Sequence, residues 1–156
     1  MAKYIELSAD ETISTSEMSQ RQKQKRGMHA MAVTKNYANT MLQSMFSGGY
    51  IGLSTTRPQI DGTGVTEPPS GTGYARVPAS GGGFTAADGM VSNNSYLYFP
   101  EATTSWGTVG YLCVFESASS GARLRYFGAL TTPKPIEVNS VPLFRPGSIN
   151  VSIVEG

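Results

Sequence analysis

The sequence predicts a mainly β protein: an antiparallel, jelly-roll-like β-sandwich over residues 48–156, preceded by an N-terminal helical arm over residues 1–47. The placement of turn formers carries this first. Of the 18 glycines, 17 follow Ser47, with Gly27 the exception; all nine prolines follow it, and six of the seven methionines precede it. A helical period is confined to the first part, and short β-prone runs separated by Gly, Pro, Ser and Asn fill the second. No strand–helix alternation is present, so a doubly wound nucleotide-binding sheet is not expected. A chain of 156 residues fits one domain with an appended arm, and such a domain buries about 68–70 % of its unfolded surface.

The arm begins with residues 2–7, whose weak alternation reads as a short edge strand or an extended segment. Ser14-Thr15-Ser16-Glu17 matches a capping box, so a helix is expected from there, running into the nearly all-polar residues 18–25. A second helix is expected at about 34–46. Ala30, Val33, Tyr37, Met41 and Met45 recur at spacings of three and four, and Ala38, Leu42 and Phe46 widen that face. Ser47-Gly48-Gly49 ends it, because glycine readily adopts the left-handed conformation of a helix C-terminus.

Strands are expected at 50–54, 74–77, 96–99, 110–116, 124–129, 136–138 and 149–154. Alternation is clearest in the last, where Ile149, Val151 and Ile153 point one way. Segments 57–72 and 79–94 are long, polar and glycine-rich, and loops of that length in a compact domain are usually functional or mobile.

The composition excludes much chemistry. One Cys forbids an internal disulfide or a Cys-based zinc cluster, and one His forbids any site needing two imidazoles. A formal net charge of +1 argues against a general nucleic-acid or membrane-surface binder. No apolar run approaches the ~18 residues of a membrane span, and a secretory leader is not expected from residues 1–6. His29 has no orienting acid or nucleophile at short range and reads as a solvated or helix-end residue. Cys113, in the most apolar strand, reads as a small core hydrophobe. Trp106 reads as a core or interface anchor. The carboxylates of the second part are scattered singly, and a glycosidase would need two of them to meet across a cleft. Asp61-Gly62-Thr63-Gly64 lacks the further acids of a calcium loop and the Lys/Ser pair of a phosphate loop, and reads as a turn. Neither cofactor nor metal is therefore expected. Arg21, Lys23, Lys25 and Arg26 form the one charge cluster, either a partner contact or a solvated face. With Tyr37, Met41 and Met45 they are the candidate partner-binding residues.

From Leu42 onward a particular order of motifs follows. A helix ending Met-Leu-Gln-Ser-Met-Phe leads to Tyr50-Ile-Gly-Leu-Ser-Thr-Thr-Arg-Pro, then Gly64-Val-Thr-Glu-Pro and Gly71-Thr-Gly-Tyr-Ala-Arg-Val. Phe99-Pro-Glu-Ala-Thr-Thr-Ser-Trp-Gly-Thr-Val and Phe127-Gly-Ala-Leu-Thr-Thr-Pro-Lys-Pro-Ile complete it. This succession, over about residues 40–154, resembles a widespread family of small tailed-bacteriophage virion proteins labelled tail-fibre or minor structural proteins.

The resemblance implies a non-enzymatic structural subunit carried on the virion and assembled in the host cytoplasm, with no catalytic residue to transfer. Its expected partners are capsid, collar or tail subunits, and its expected state is a closed homo-oligomer, a trimer, docked through residues 1–47. Within Tyr74-Ala75-Arg76, Arg76 is expected to anchor its strand by pairing with a carboxylate or loop carbonyls. The competing expectation is a tail-fibre receptor- or glycan-binding module, with Tyr74, Tyr96, Tyr98 and Trp106 as stacking platforms among the two long loops. A glycan hydrolase is the third.

Overall fold

In this computed structural model the described residues are 2–14 and 33–154. In chain order the elements are β1 (Lys3–Ser14), α1 (Lys35–Phe46), β2 (Tyr50–Ser54), β3 (Val77–Pro78) and a single 3-10 turn at Ala79–Gly82. There follow β4 (Phe84–Ala87), β5 (Met90–Asn93), β6 (Leu97–Tyr98), β7 (Gly107–Phe115), β8 (Leu124–Ile136) and β9 (Ser140–Val154). Among the described residues, no helix is long and apolar enough to cross a membrane.

The mainly β class is as predicted, but the sheet differs from an antiparallel sandwich. All nine strands join one mixed sheet, ordered β3-β2-β7-β8-β1-β9-β5-β4, with β6 also on β9. The two ends of that order, β3 and β4, are consecutive in the chain and linked by the 3-10 turn. The sheet therefore curls back on itself as a half-barrel rather than splitting into two facing layers.

The departure originates in β1. Instead of a short edge strand or extended segment, it is a 12-residue interior strand. It runs antiparallel to β8 at Ala9↔Leu130 and parallel to β9 from Lys3↔Ser140 to Ser14↔Val154. Residues 3–14 thus belong to the sheet. Period-two alternation seats Leu7 and Ala9 in the core with Ile5 packed against it, and leaves Tyr4 and Glu6 outside. On β9, Ile149 and Val151 are buried and Ile153 packs on the core, in the phase the sequence predicts.

Between Phe144 and Ile149, β9 bulges away while β1 advances only from Leu7 to Ala9. Asn93, buried on β5, holds this bulge from inside. Its Nδ2 donates to Arg145 O (2.8 Å) and Ser95 O (3.1 Å), and its Oδ1 accepts from Ile149 N (2.9 Å). A buried amide costs stability unless its groups are paired, and here donor and acceptor both are.

Helix α1 matches the expected span closely. Thr34 caps it, its hydroxyl accepting from Tyr37 N at 3.3 Å, and Gly48 beyond its end adopts φ 67°. The buried stripe is Ala38, Leu42 and Phe46, rotated from the Tyr37–Met41–Met45 line. Neighbours decide that rotation: Phe46 stacks on Phe84 at 4.2 Å, and Gln43 bonds the outer edge of β4. Gln43 Nε2 donates to Phe84 O (3.0 Å) and its Oε1 accepts from Ala86 N (3.0 Å), standing in for a neighbouring strand.

The segment 79–94, expected as a long loop, is mostly structured. Asp88 (φ 53°) and Gly89 (φ 77°) form a two-residue turn between β4 and β5 with Ala87↔Met90 as its closing pair. Asp-Gly is the residue pair such a turn requires. The segment 57–72 forms no strand. The helix expected from Ser14 through residues 18–25 lies outside the described residues beyond Ser14, which ends β1.

Two predictions arise from this architecture. Deleting residues 1–30 removes an interior strand rather than a separable arm; the product should lose cooperative thermal unfolding by circular dichroism, and a sharp transition would refute β1's place. Phe46→Ala should cost about 3–5 kcal/mol in denaturant melts, because it empties the contact between helix and β4.

Candidate functional site

An enclosed polar cluster lies on the outer face of β2 and β7, beneath residues 55–76. Arg76 and Glu67 form a bidentate pair, Nε to Oε1 at 2.9 Å and Nη2 to Oε2 at 2.7 Å, with the Arg76 side chain only 6 % exposed. Arg76 Nη1 also donates to the carbonyls of Ser117 (3.1 Å) and Ser119 (2.7 Å), and the guanidinium lies 3.5 Å from the Phe115 ring centroid. Arg76 thus binds both a carboxylate and loop carbonyls, as the sequence predicts for an anchor.

Tyr74 completes the cluster. Its hydroxyl donates to Glu67 Oε1 and accepts from Leu53 N (3.1 Å), supplying the partner β2 lacks where β3 ends. Burial, then the charge of Glu67, holds that hydroxyl well above its usual range. Gly52 makes room: a Cβ there would stand 2.7 Å from Tyr74 Oη and 2.9 Å from Glu67 Oε1. A glycine inside a strand marks close approach, and this signal could have located the cluster in the sequence. Cys113, opposite Gly52, is fully buried, and burial pushes its thiol up to about 12, with the Glu67 charge adding.

The predicted residues separate into four groups. Arg21, Lys23, Lys25 and Arg26, together with His29, lie outside the described residues. Tyr37 (62 % exposed) and Met41 (40 %) stand on the free face of α1, whereas Met45 packs against the core. Tyr74 and Trp106, expected as stacking platforms, are instead packed into the fold, Tyr74 half-buried and Trp106 buried. The Tyr74 hydroxyl is committed to the cluster, and Trp106 is 3 % exposed with its indole N–H donating to Thr72 O at 2.8 Å. Tyr74 meets Trp106 edge-on at 5.2 Å, so these rings pack on each other; the core-anchor reading of Trp106 is the correct one.

Tyr96 and Tyr98 are exposed, at 47 % and 51 %, with near-parallel rings 5.8 Å apart. The sequence reading missed a third member, Tyr4, whose ring meets Tyr98 edge-on at 6.4 Å. Register explains the meeting: Tyr4 is opposite Val141 and Tyr98 is opposite Leu143, so β9 carries both onto one outer face. The Glu6–Arg145 ion pair borders this face at 2.5 Å. Among the described residues, no three or more His, Cys, Asp or Glu side chains gather to hold a metal. Asp61 bonds the backbone N–H and hydroxyl of Thr63, as the turn reading expects.

The fold and its surfaces define a β-rich module whose buried polar groups hold loops in place and whose exposed aromatics sit on rigid elements. A family model described as podophage GP4 fiber I protein gp80 matches residues 30–152, and the chain belongs to that family. It is a bacteriophage virion structural protein of the fibre group, carried on the virion. No curated protein matches the sequence.

Arg76→Ala should destabilise the fold by about 3–5 kcal/mol, since it strands the Glu67 charge; Arg76→Met with Glu67→Leu should recover much of that loss in the same melts. The folded state holds the Cys113 proton more tightly than the unfolded chain, whose thiol titrates near 9.0. This group's contribution is therefore intact below pH 9 and declines as pH rises toward about 12. The melting temperature should fall across that window, and Cys113 should resist thiol reagents at pH 8 until the protein unfolds.

Proposed function

We propose that this chain is a non-enzymatic subunit that decorates or stabilises the phage particle, at the head, collar or tail attachment, through protein–protein contacts. Helix α1 carries the reading. Leu42, Phe46 and Gln43 lock one side of it to the half-barrel, while Tyr37 and Met41 stay exposed on the other, one helical turn apart. An apolar pair on a helix already held to the barrel suits a partner surface, because no backbone has to be ordered on docking. Two of the carboxylates of the β domain support the non-enzymatic part: Glu67 is committed to Arg76 and Glu116 pairs with Arg123. A closed cyclic trimer is part of the reading, and light scattering on the purified protein tests it.

Incorporation into particles is the direct test. A Tyr37→Ser, Met41→Glu double variant should keep its melting temperature yet fall well below wild-type copy number when it complements a deletion phage, counted by mass spectrometry of purified virions. Wild-type incorporation would overturn the assignment of α1. The wild-type copy number itself locates the protein: on the order of hundreds for head decoration, a few to a few dozen for collar or tail.

A second reading, a tail-fibre module that binds a receptor or glycan, is favoured by one observation. Tyr96 and Tyr98 are exposed on a backbone fixed on both sides: Ser95 N donates to Gly82 O (2.9 Å) and Phe99 N to Pro142 O (2.9 Å).

A further inference from the structure

We infer that Tyr4, Tyr96 and Tyr98, with the cleft beside them, bind a pyranose oligosaccharide; this deepens the receptor-binding reading and rests on it. Three exposed rings meet on one sheet face although they come from β1 and from both ends of the Tyr96–Tyr98 stretch, so their grouping is a product of the fold. The backbone beneath is held by the β1–β9 and β6–β9 pairings, which keeps the shelf preorganised.

Size favours a sugar over a protein partner. Each ring is about half exposed, so the three offer roughly 300 Å² of aromatic surface. A stable protein interface needs about 800 Å² from each partner. One or two pyranose rings, whose faces carry apolar C–H groups, fit the smaller area. Tyrosine provides a broad apolar face with little side-chain entropy to lose, and its hydroxyl can meet the polar rim of the sugar.

The surroundings supply that rim. Glu6 lies two residues along β1 from Tyr4 on the same face and pairs with Arg145. Beyond this pair, a cleft of about 250 Å³ is lined by Lys134 and the hydroxyl residues Ser8, Thr132 and Ser148 in addition to Glu6 and Arg145. Carboxylate, cationic and hydroxyl groups together can donate to and accept from sugar hydroxyls. The shelf therefore stacks one unit while the cleft hydrogen-bonds the next.

The test applies the labelled full chain to an array of defined bacterial-surface oligosaccharides of the glucose, galactose, rhamnose and N-acetylhexosamine series, then titrates the strongest ligand. Wild type should bind. Tyr4→Ala and Tyr98→Ala should each weaken binding about tenfold or more, and Tyr98→Phe should retain most of it. Tyr96→Ala, which lies outside any strand, carries the test if either other variant loses its melting transition. No array signal overturns the site, as does wild-type affinity in the folded alanine variants. So does a self-association that Tyr98→Ala abolishes, because a second copy would then cover the shelf. A labelled chain that gives no array signal yet still binds whole host cells overturns this site alone and leaves the receptor-binding reading standing, whereas binding to neither overturns both.

Discussion

The pairing of β1 with β9 joins the first described strand of the chain to the last, in parallel, along nearly their whole length. Parallel neighbours need a long crossover, and here the rest of the fold is that crossover. Everything from α1 to β8 is threaded between the two strands, so the order of the sheet depends on their register. A one-residue slip would turn Leu7 and Ala9 outward and bring Tyr4 and Glu6 in. The Asn93 amide, bonded on both sides of the bulge in β9, opposes such a slip where the two strands advance unequally.

Helix α1 solves the complementary problem at the other end of the sheet. An exposed strand edge is a template for unwanted pairing. At β4 the Gln43 side chain satisfies one donor and one acceptor of that edge, and Phe46 fills the space behind Phe84. The same helix turns Tyr37 and Met41 outward, so the element that closes the half-barrel also presents its most apolar helical surface. The Arg76–Glu67–Tyr74 cluster does comparable work for residues 55–76, which have no strand of their own: it ties them to β2, β7 and the turn after β7.

Local chemistry was readable wherever short-range physics governs it. The span of α1, its Thr34 cap and its glycine stop are set within a few residues, and β2 and the alternation of β9 are equally local. The β4–β5 hairpin was readable too, through Asp88-Gly89, but the surrounding glycines at 81–83 obscured it. Arg76 as an anchor was legible from its motif; its partner Glu67 was signalled only by Gly52, whose bare backbone lets the carboxylate approach. Tyr74 looks like a surface aromatic in a turn-rich stretch, and only its contacts with Glu67 and Leu53 reveal it as a packed group.

The sequence by itself determined the β-rich class, the span of the helix at 34–46, the inward phase of the last strand and the lack of an internal disulfide, because composition and period act locally. The tertiary structure alone decided that residues 3–14 lie inside the sheet, that one face of α1 rather than its neighbour is buried, and that Tyr4 joins Tyr96 and Tyr98. The first and the last depend on strand order and register across more than ninety residues, and the face of α1 on Phe84 and Ala86, which lie outside the helix. Register between distant strands is fixed by how all their side chains pack at once, and no spacing within one segment records it.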